Sequence, residues 1–152
     1  MAGPMIYRHT NINSKDWKTL CKFYEIVFDC KPVGPERDLH GEWFDKVTGV
    51  KGAHVRGQHM TLPGYGEDGP TFEIFTYNLH NDNPPAPING YGFAHVAFEV
   101  DDVERTYNLL MKNGGSACGE IVDHYYTNVG KTIKIVYARD PEGNVIEILN
   151  WY

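Results

Sequence analysis

The chain is 152 residues long with a formal net charge of −6, which suits one domain or two small fused modules. This acidic balance argues against sequence-independent binding to nucleic acid, which needs clustered lysine and arginine. The start of the chain has no signal-peptide pattern, and no stretch approaches the roughly 18 apolar residues of a membrane span. The three cysteines lack C-x-x-C spacing, so neither a disulfide framework nor a thiolate zinc site is indicated. We therefore expect a soluble, cytoplasmic protein that binds neither nucleic acid nor membrane.

The first predicted elements are a strand and a helix. Residues 6–13 form the strand, and Ser14 is the predicted N-cap of the helix. Apolar residues then recur at a helical spacing of i, i+3, i+4, i+7 and i+11. These residues are Trp17, Leu20, Cys21, Tyr24 and Phe28.

Three strand-like segments follow the helix, a weak one near residues 31–34 and stronger ones at 53–62 and 71–77. Residues 36–49 interrupt them with aromatic residues at short helical spacing, and we interpret this segment as an insertion. Residues 64–69 match G-x-G-x-x-G, but a proline and a strand follow where a phosphate-binding loop needs a helix N-terminus. A hairpin loop is therefore predicted there.

The second half of the chain repeats the first. A strand at residues 93–100 leads into the acidic run 101–104, which resembles a helix cap, and the helix stops at Asn113 and Gly114. Strands are predicted at 116–124, 131–138 and 144–151. Both halves thus have the order βαβββ, and the sequence predicts an α+β fold.

A proline-rich stretch separates the two halves. Residues 83–87 carry three prolines, a composition that suits an extended linker. We predict a first module over residues 1–82, a linker over 83–90 and a second module over 91–152.

Strand alternation decides which way four polar residues point. In the strand at 93–100 the even-numbered residues are apolar, so His95 lies on the opposite face. The same parity turns Glu73 and Glu147 away from their apolar neighbours, and a weaker pattern does so for His9. Four polar groups are expected on equivalent faces of the repeated modules.

This set of residue types favours a metal site. Two imidazoles and two carboxylates facing inward would leave buried charge uncompensated unless a cation neutralised it. Nitrogen and oxygen donors without thiolate suit Zn²⁺, Ni²⁺, Fe²⁺, Mn²⁺ or Co²⁺. We predict that His9, Glu73, His95 and Glu147 bind one divalent ion.

Three runs of the sequence carry a family resemblance. Residues 92–101 (GFAHVAFEVD), 139–148 (RDPEGNVIEI) and 72–74 (FEI) resemble the vicinal oxygen chelate superfamily, which includes glyoxalase I, methylmalonyl-CoA epimerase, extradiol dioxygenases and bleomycin-resistance proteins. The resemblance implies paired βαβββ modules whose sheets curve around a central metal, within a homodimer that can exchange modules. The order His, Glu, His, Glu is similar to that of glyoxalase I, for which Zn²⁺ or Ni²⁺ is the expected metal.

The resemblance implies a lyase or isomerase that moves a proton next to a metal-bound carbonyl. Glu147 or Glu73 would be the catalytic base. Three alternatives stay open: a CoA-thioester epimerase, a binding or resistance protein for a small molecule, and an Fe²⁺ dioxygenase that uses His9, His95 and Glu147. Glu73 favours the proton-transfer reading, because the epimerases usually carry Gln there and the dioxygenases use one Glu.

The chain departs from glyoxalase I where that family binds glutathione. Glyoxalase I carries an Arg shortly after its first His, whereas residues 10–13 of this chain contain no Arg. A second Arg, four residues before the second His in animal members of that family, aligns with Tyr91. The family's Asn after its first Glu is displaced by one residue to Asn78, which reverses its face on a strand. We therefore expect a substrate other than a glutathione hemithioacetal.

Overall fold

The computed structural model describes residues 3–152, which form two compact units divided between Asp82 and Asn83. Each unit contains a mixed β-sheet and at least one helix, so the predicted α+β class is confirmed. In this part of the chain, no helix is long and apolar enough to cross a membrane.

The first unit contains a four-stranded sheet in the order β1-β4-β3-β2, with β1 and β4 parallel and the other pairs antiparallel. Its elements are β1 (His9–Asn13), α1 (Trp17–Phe28), β2 (Pro32–His40), α2 (Glu42–Thr48), β3 (His54–Thr61) and β4 (Thr71–Tyr77).

The second unit contains a five-stranded sheet in which β5-β9-β8-β6 are neighbours and β7 also pairs with β8. Its elements are β5 (His95–Glu99), α3 (Val103–Lys112), β6 (Ser116–Ala117), β7 (Val122–Tyr126), β8 (Lys131–Arg139) and β9 (Val145–Trp151). The parallel pair β5/β9 repeats β1/β4, and the antiparallel pair β8/β9 repeats β3/β4.

Helix α1 covers one face of the first sheet. Leu20 and Tyr24 are fully buried, and the Tyr24 ring meets Phe72 of β4 edge-on at 5.2 Å. The N-cap is Asp16, whose carboxylate accepts the Thr19 N–H at 3.2 Å and its hydroxyl at 2.6 Å. Ser14, the predicted cap, instead accepts the Asp16 N–H at 3.0 Å, so that prediction was two residues early.

Two predicted segments differ from the observed strands. Strand β2 continues to His40, so residues 36–40 of the predicted insertion belong to the sheet. Helix α2 is the part of that insertion that has no counterpart among the elements of the second unit. The predicted strand at 116–124 divides into β6 and β7, because the nine-residue β8 pairs with both and residues 118–121 leave the ladder between them. Helix α2 buries Phe44 against Ala53, Val55 and Phe75, on the sheet face opposite α1.

Candidate metal centre

Three strands of the first unit bring polar side chains together on the sheet face opposite α1. In the register, His59 of β3 and Asn11 of β1 both stand directly opposite Glu73 of β4. His9 lies two residues before Asn11 and so shares its face. We call His9, His59 and Glu73 the first cluster.

The distances within the first cluster are short. The Glu73 carboxylate oxygen Oε2 lies 3.2 Å from His59 Nε2 and 3.4 Å from His9 Nε2. Asn11 donates its amide to the other oxygen of Glu73 at 3.2 Å. His59 Nδ1 lies 2.8 Å from the Thr71 hydroxyl, which leaves Nε2 to face Glu73. The hydroxyl and the amide therefore orient the donor atoms, as outer groups around metal sites do.

The first cluster fits a divalent metal. One donor atom from each of its residues lies within 4.8 Å of the others. Donors bound at about 2.1 Å to a tetrahedral ion stand about 3.4 Å apart, which matches the two distances to Glu73. Burial lowers the pKa of His59, and the positive charges of Arg37 and His9 lower it further, while Glu73 raises it. The net direction favours the neutral imidazole, the form that binds metals.

The second unit holds an equivalent pair. His95 Nε2 lies 3.0 Å from Glu147 Oε2, and Ala97 and Tyr137 stand directly opposite Glu147 on the neighbouring strands. Tyr137 thus occupies the position that His59 has in the first unit. Burial raises the pKa of the Tyr137 hydroxyl, and the charge and hydrogen bond of Glu147 raise it as well. The Tyr137 hydroxyl is therefore protonated where it stands opposite Glu147.

The run 139–148 has a structural role beside Glu147. Asp140 is buried and accepts the backbone N–H of Glu142 at 2.9 Å and of Asn144 at 3.0 Å. The Asn144 side chain donates to its other oxygen at 2.7 Å. This hydrogen-bonded loop connects β8 to β9 and sets the register that places Tyr137 opposite Glu147.

A cavity of about 480 Å³ lies beside the first cluster. The three cluster residues line it together with Arg8, Val33, Gly34, Arg37, Leu39, Glu67, Gly69, Thr71 and Phe75. The predicted hairpin loop before β4 contributes Glu67 and Gly69 to the cavity wall. The glycine-rich segment is followed by a strand, as predicted, and not by the helix that a phosphate-binding loop needs. The cavity is large enough for a small organic ligand.

A further group of possible ligands lies at the far end of β2 and β3. Asp38 Oδ1 is 2.5 Å from His54 Nε2 and 4.0 Å from His40 Nε2. Arg56 lies 3.3 Å from the other Asp38 oxygen, so a cation already neutralises this carboxylate. The group is more exposed than the first cluster, which leaves His9, His59 and Glu73 as the stronger metal candidate.

The structure brings together two pairs from the predicted set, His9 with Glu73 and His95 with Glu147. The prediction that all four bind one ion stays a prediction. His59 is not a member of the predicted set, and the structure places it in contact with Glu73. Alternation along β3 could have shown which face His59 occupies. The sequence does not show which residue of β4 stands opposite His59, because the long loop between β3 and β4 does not fix the register of the two strands.

Asn78 binds the His54 N–H and the Gly52 carbonyl, which gives this displaced residue a structural role.

Comparison with known proteins agrees with this fold. The family model for the Glyoxalase/Bleomycin resistance protein/Dioxygenase superfamily matches residues 6–148. A glyoxalase family protein from Bacillus cereus superimposes with a TM-score of 0.77 at 24% identity, over 97% of this chain and 93% of that chain. A glyoxalase I mutant from Zea mays superimposes with a TM-score of 0.62 at 16% identity, over 94% of this chain and 46% of that chain. Identities this low show the fold alone.

One curated relative is similar in sequence. A probable chloroplastic lactoylglutathione lyase from Arabidopsis thaliana is 36% identical over 87 residues. The alignment covers 57% of this chain and 23% of that protein. The matched part therefore spans less than a quarter of the relative's length.

Proposed function

Because the chain belongs to the Glyoxalase/Bleomycin resistance protein/Dioxygenase superfamily, we propose that it is a divalent-metal-dependent lyase or isomerase. The reaction we propose is proton transfer next to the carbonyl of a small substrate. One observation carries the proposal: two imidazoles and a carboxylate converge within 4.8 Å on one sheet face, beside a cavity. The named activity of the Arabidopsis relative supports the same reaction class.

The metal-binding residues would be His9, His59 and Glu73. Their mixture of nitrogen and oxygen donors favours Zn²⁺ or Ni²⁺, with Fe²⁺, Mn²⁺ and Co²⁺ as further candidates. The predicted ligand set also includes His95 and Glu147, and this part of the proposal rests on the repeat of the two modules.

The proposed chemistry assigns the proton transfer to the glutamates. A bound divalent ion would supply Lewis-acid stabilisation of the negative charge that develops on the substrate oxygen. Glu147 or Glu73 takes the proton from the neighbouring carbon at a carboxylate oxygen. Asn11 holds the Glu73 carboxylate by a hydrogen bond, and Glu147 lies beside His95 and opposite Tyr137.

The test combines metal content with proton exchange. The purified protein is loaded with each candidate ion, its stoichiometry is measured by plasma mass spectrometry, and small hydroxycarbonyls, hemithioacetals and CoA thioesters are incubated with it in D₂O. We expect metal-dependent loss of the C–H signal next to the carbonyl in nuclear magnetic resonance spectra, abolished by a chelator and restored by metal. Full metal occupancy without exchange in any compound, or exchange that persists in chelator, would contradict the proposal.

One observation favours a second candidate function, an Fe²⁺ dioxygenase. His9, His59 and Glu73 make up two histidines and one carboxylate, the donor set of many non-haem iron oxygenases. O₂ consumption by the iron-loaded protein distinguishes this candidate, because proton transfer proceeds equally well without oxygen.

The oligomeric state and the cellular location of the protein are also part of the proposal. We expect a homodimer in the cytoplasm, as the resemblance and the composition indicate. Light scattering of the purified protein measures the first expectation, and cell fractionation measures the second.

A further inference from the structure

A cationic side chain lines the cavity of the first unit and lacks an acceptor at one nitrogen. Arg37 is half-buried, and within residues 3–152 its buried Nε has no hydrogen-bond partner. A buried donor without an acceptor is costly and therefore rare in folded proteins. A ligand in the cavity is the natural source of the missing acceptor.

An irregularity in the sheet brings Arg37 towards the first cluster. The β2–β3 register pairs Val33 with His59, and a regular ladder would then place Arg37 opposite Val55. The register shifts between Val33 and Arg37, so that Arg37 stands opposite Gly57, two residues nearer His59. Gly57 carries no side chain, and the Ile74 carbonyl and the Phe75 ring fill the space where a Cβ would stand. Bulges re-aim side chains at functional sites in this way.

The charges around the cavity favour a negatively charged ligand group. Arg8 and Arg37 line the cavity along with Glu67 and Glu73. Glu73 already contacts His9, His59 and Asn11, and a divalent ion would neutralise it further. The cavity with its metal would then carry a net positive charge. Arg37 and His59 line the same cavity from neighbouring strands of the sheet.

We propose that Arg37 binds an oxyanionic group of the substrate, a carboxylate or a phosphoryl group, while the first cluster holds the metal. This inference rests on the proposed function and specifies its substrate class as a small carbonyl compound with a second, anionic end. The planar guanidinium suits either oxyanion, because it offers parallel N–H donors. Arg37 would supply the cation that the chain lacks at the positions expected from glyoxalase I.

The test compares probe pairs that differ only in the anionic end. 4-Oxopentanoate and 2-butanone represent the carboxylate, while dihydroxyacetone phosphate and dihydroxyacetone represent the phosphoryl group. Calorimetric titration of the metal-loaded protein should show that the charged member of at least one pair binds about 10- to 100-fold more tightly. The pair that shows the preference identifies the oxyanion.

Variants locate this preference. Arg37→Gln should remove it and leave metal content and the binding of the uncharged probe unchanged, while Arg37→Lys should restore part of it. Arg56→Gln is the matched control, because Arg56 lies exposed on the opposite face of the same sheet and pairs with Asp38. Circular dichroism confirms that each variant is folded.

The outcomes separate this inference from the proposed function. A protein that takes up metal but binds both members of each pair equally overturns the role of Arg37 alone, and so does an Arg37→Gln variant that keeps the preference. A protein that takes up no metal overturns the proposed function, and the substrate class falls with it.

Discussion

Glu73 is the residue on which most contacts of the site converge. It meets two histidines and one asparagine, and these three partners come from strands on both sides of β4. Its counterpart Glu147 meets one histidine and Tyr137. Alternation in the sequence predicted the face of both glutamates, because each lies between buried apolar neighbours. It could not predict their partners, since cross-strand partners depend on the register.

Replacement of His59 tests its contribution to metal binding. His59 Nε2 faces Glu73 at 3.2 Å. We therefore expect His59→Gln to lower metal affinity by about 100-fold or more, because removal of a group that only orients a ligand already costs about 10- to 100-fold. Competition with a chromogenic chelator measures the affinity. His80→Gln is the control, since His80 is exposed beside Asp82. Equal affinities of both variants would contradict the role of His59.

Replacement of Glu147 tests the catalytic base. We expect Glu147→Gln to slow proton exchange by about 10²- to 10⁴-fold, the contribution typical of a general base. Metal content is measured on the same sample, because a variant that loses its metal would slow for another reason. Glu120→Gln, in the exposed loop between β6 and β7, should exchange protons like the unmodified protein. Unchanged exchange in Glu147→Gln with full metal occupancy would rule out this base.

The repeated strand–helix–strand elements carry the geometry of the site. Parity places the donors on one face of each sheet, and the parallel pairs β1/β4 and β5/β9 bring the histidine and glutamate of each unit together. Close packing of β3 against β4 permits no side chain at Gly57. A Cβ built there would lie 2.0 Å from the Ile74 carbonyl oxygen and 2.5 Å from a Phe75 ring carbon.

Replacement of Gly57 tests this packing. We expect Gly57→Ala to lower the free energy of unfolding by about 1 to 3 kcal/mol or more, since the backbone of β4 must move to admit the methyl group. Urea denaturation measures the change. Gly119→Ala is the control, because a Cβ at Gly119 would meet nothing within 4 Å. Equal stability of the two variants would show that the sheet adapts freely.

The three cysteines differ in burial across the whole molecule. Cys21 and Cys30 are buried, which raises the pKa of each thiol to about 12, whereas Cys118 is exposed. A thiol with so high a pKa stays protonated at pH 8, and the thiolate is the reactive form. Two of the three thiols are therefore expected to be unreactive in the folded chain.

Thiol labelling measures this difference. At pH 8 we expect one cysteine per folded chain to react rapidly with a disulfide reagent and all three to react in denaturant. Cys118→Ser should abolish the rapid phase. Rapid reaction of two or three thiols in the folded protein would show that the core around α1 opens readily.

The sequence by itself determined the fold class, the repeat and the strand faces on which His9, Glu73, His95 and Glu147 lie. Each of these follows from local patterns, because side-chain direction in a strand has a period of two and a helix has a period of 3.6. The tertiary structure alone decided that His59 meets Glu73 and that Arg37 faces the cavity. Both depend on strand register, which a long hairpin loop and a bulge set, and neither leaves a periodic signal in the chain.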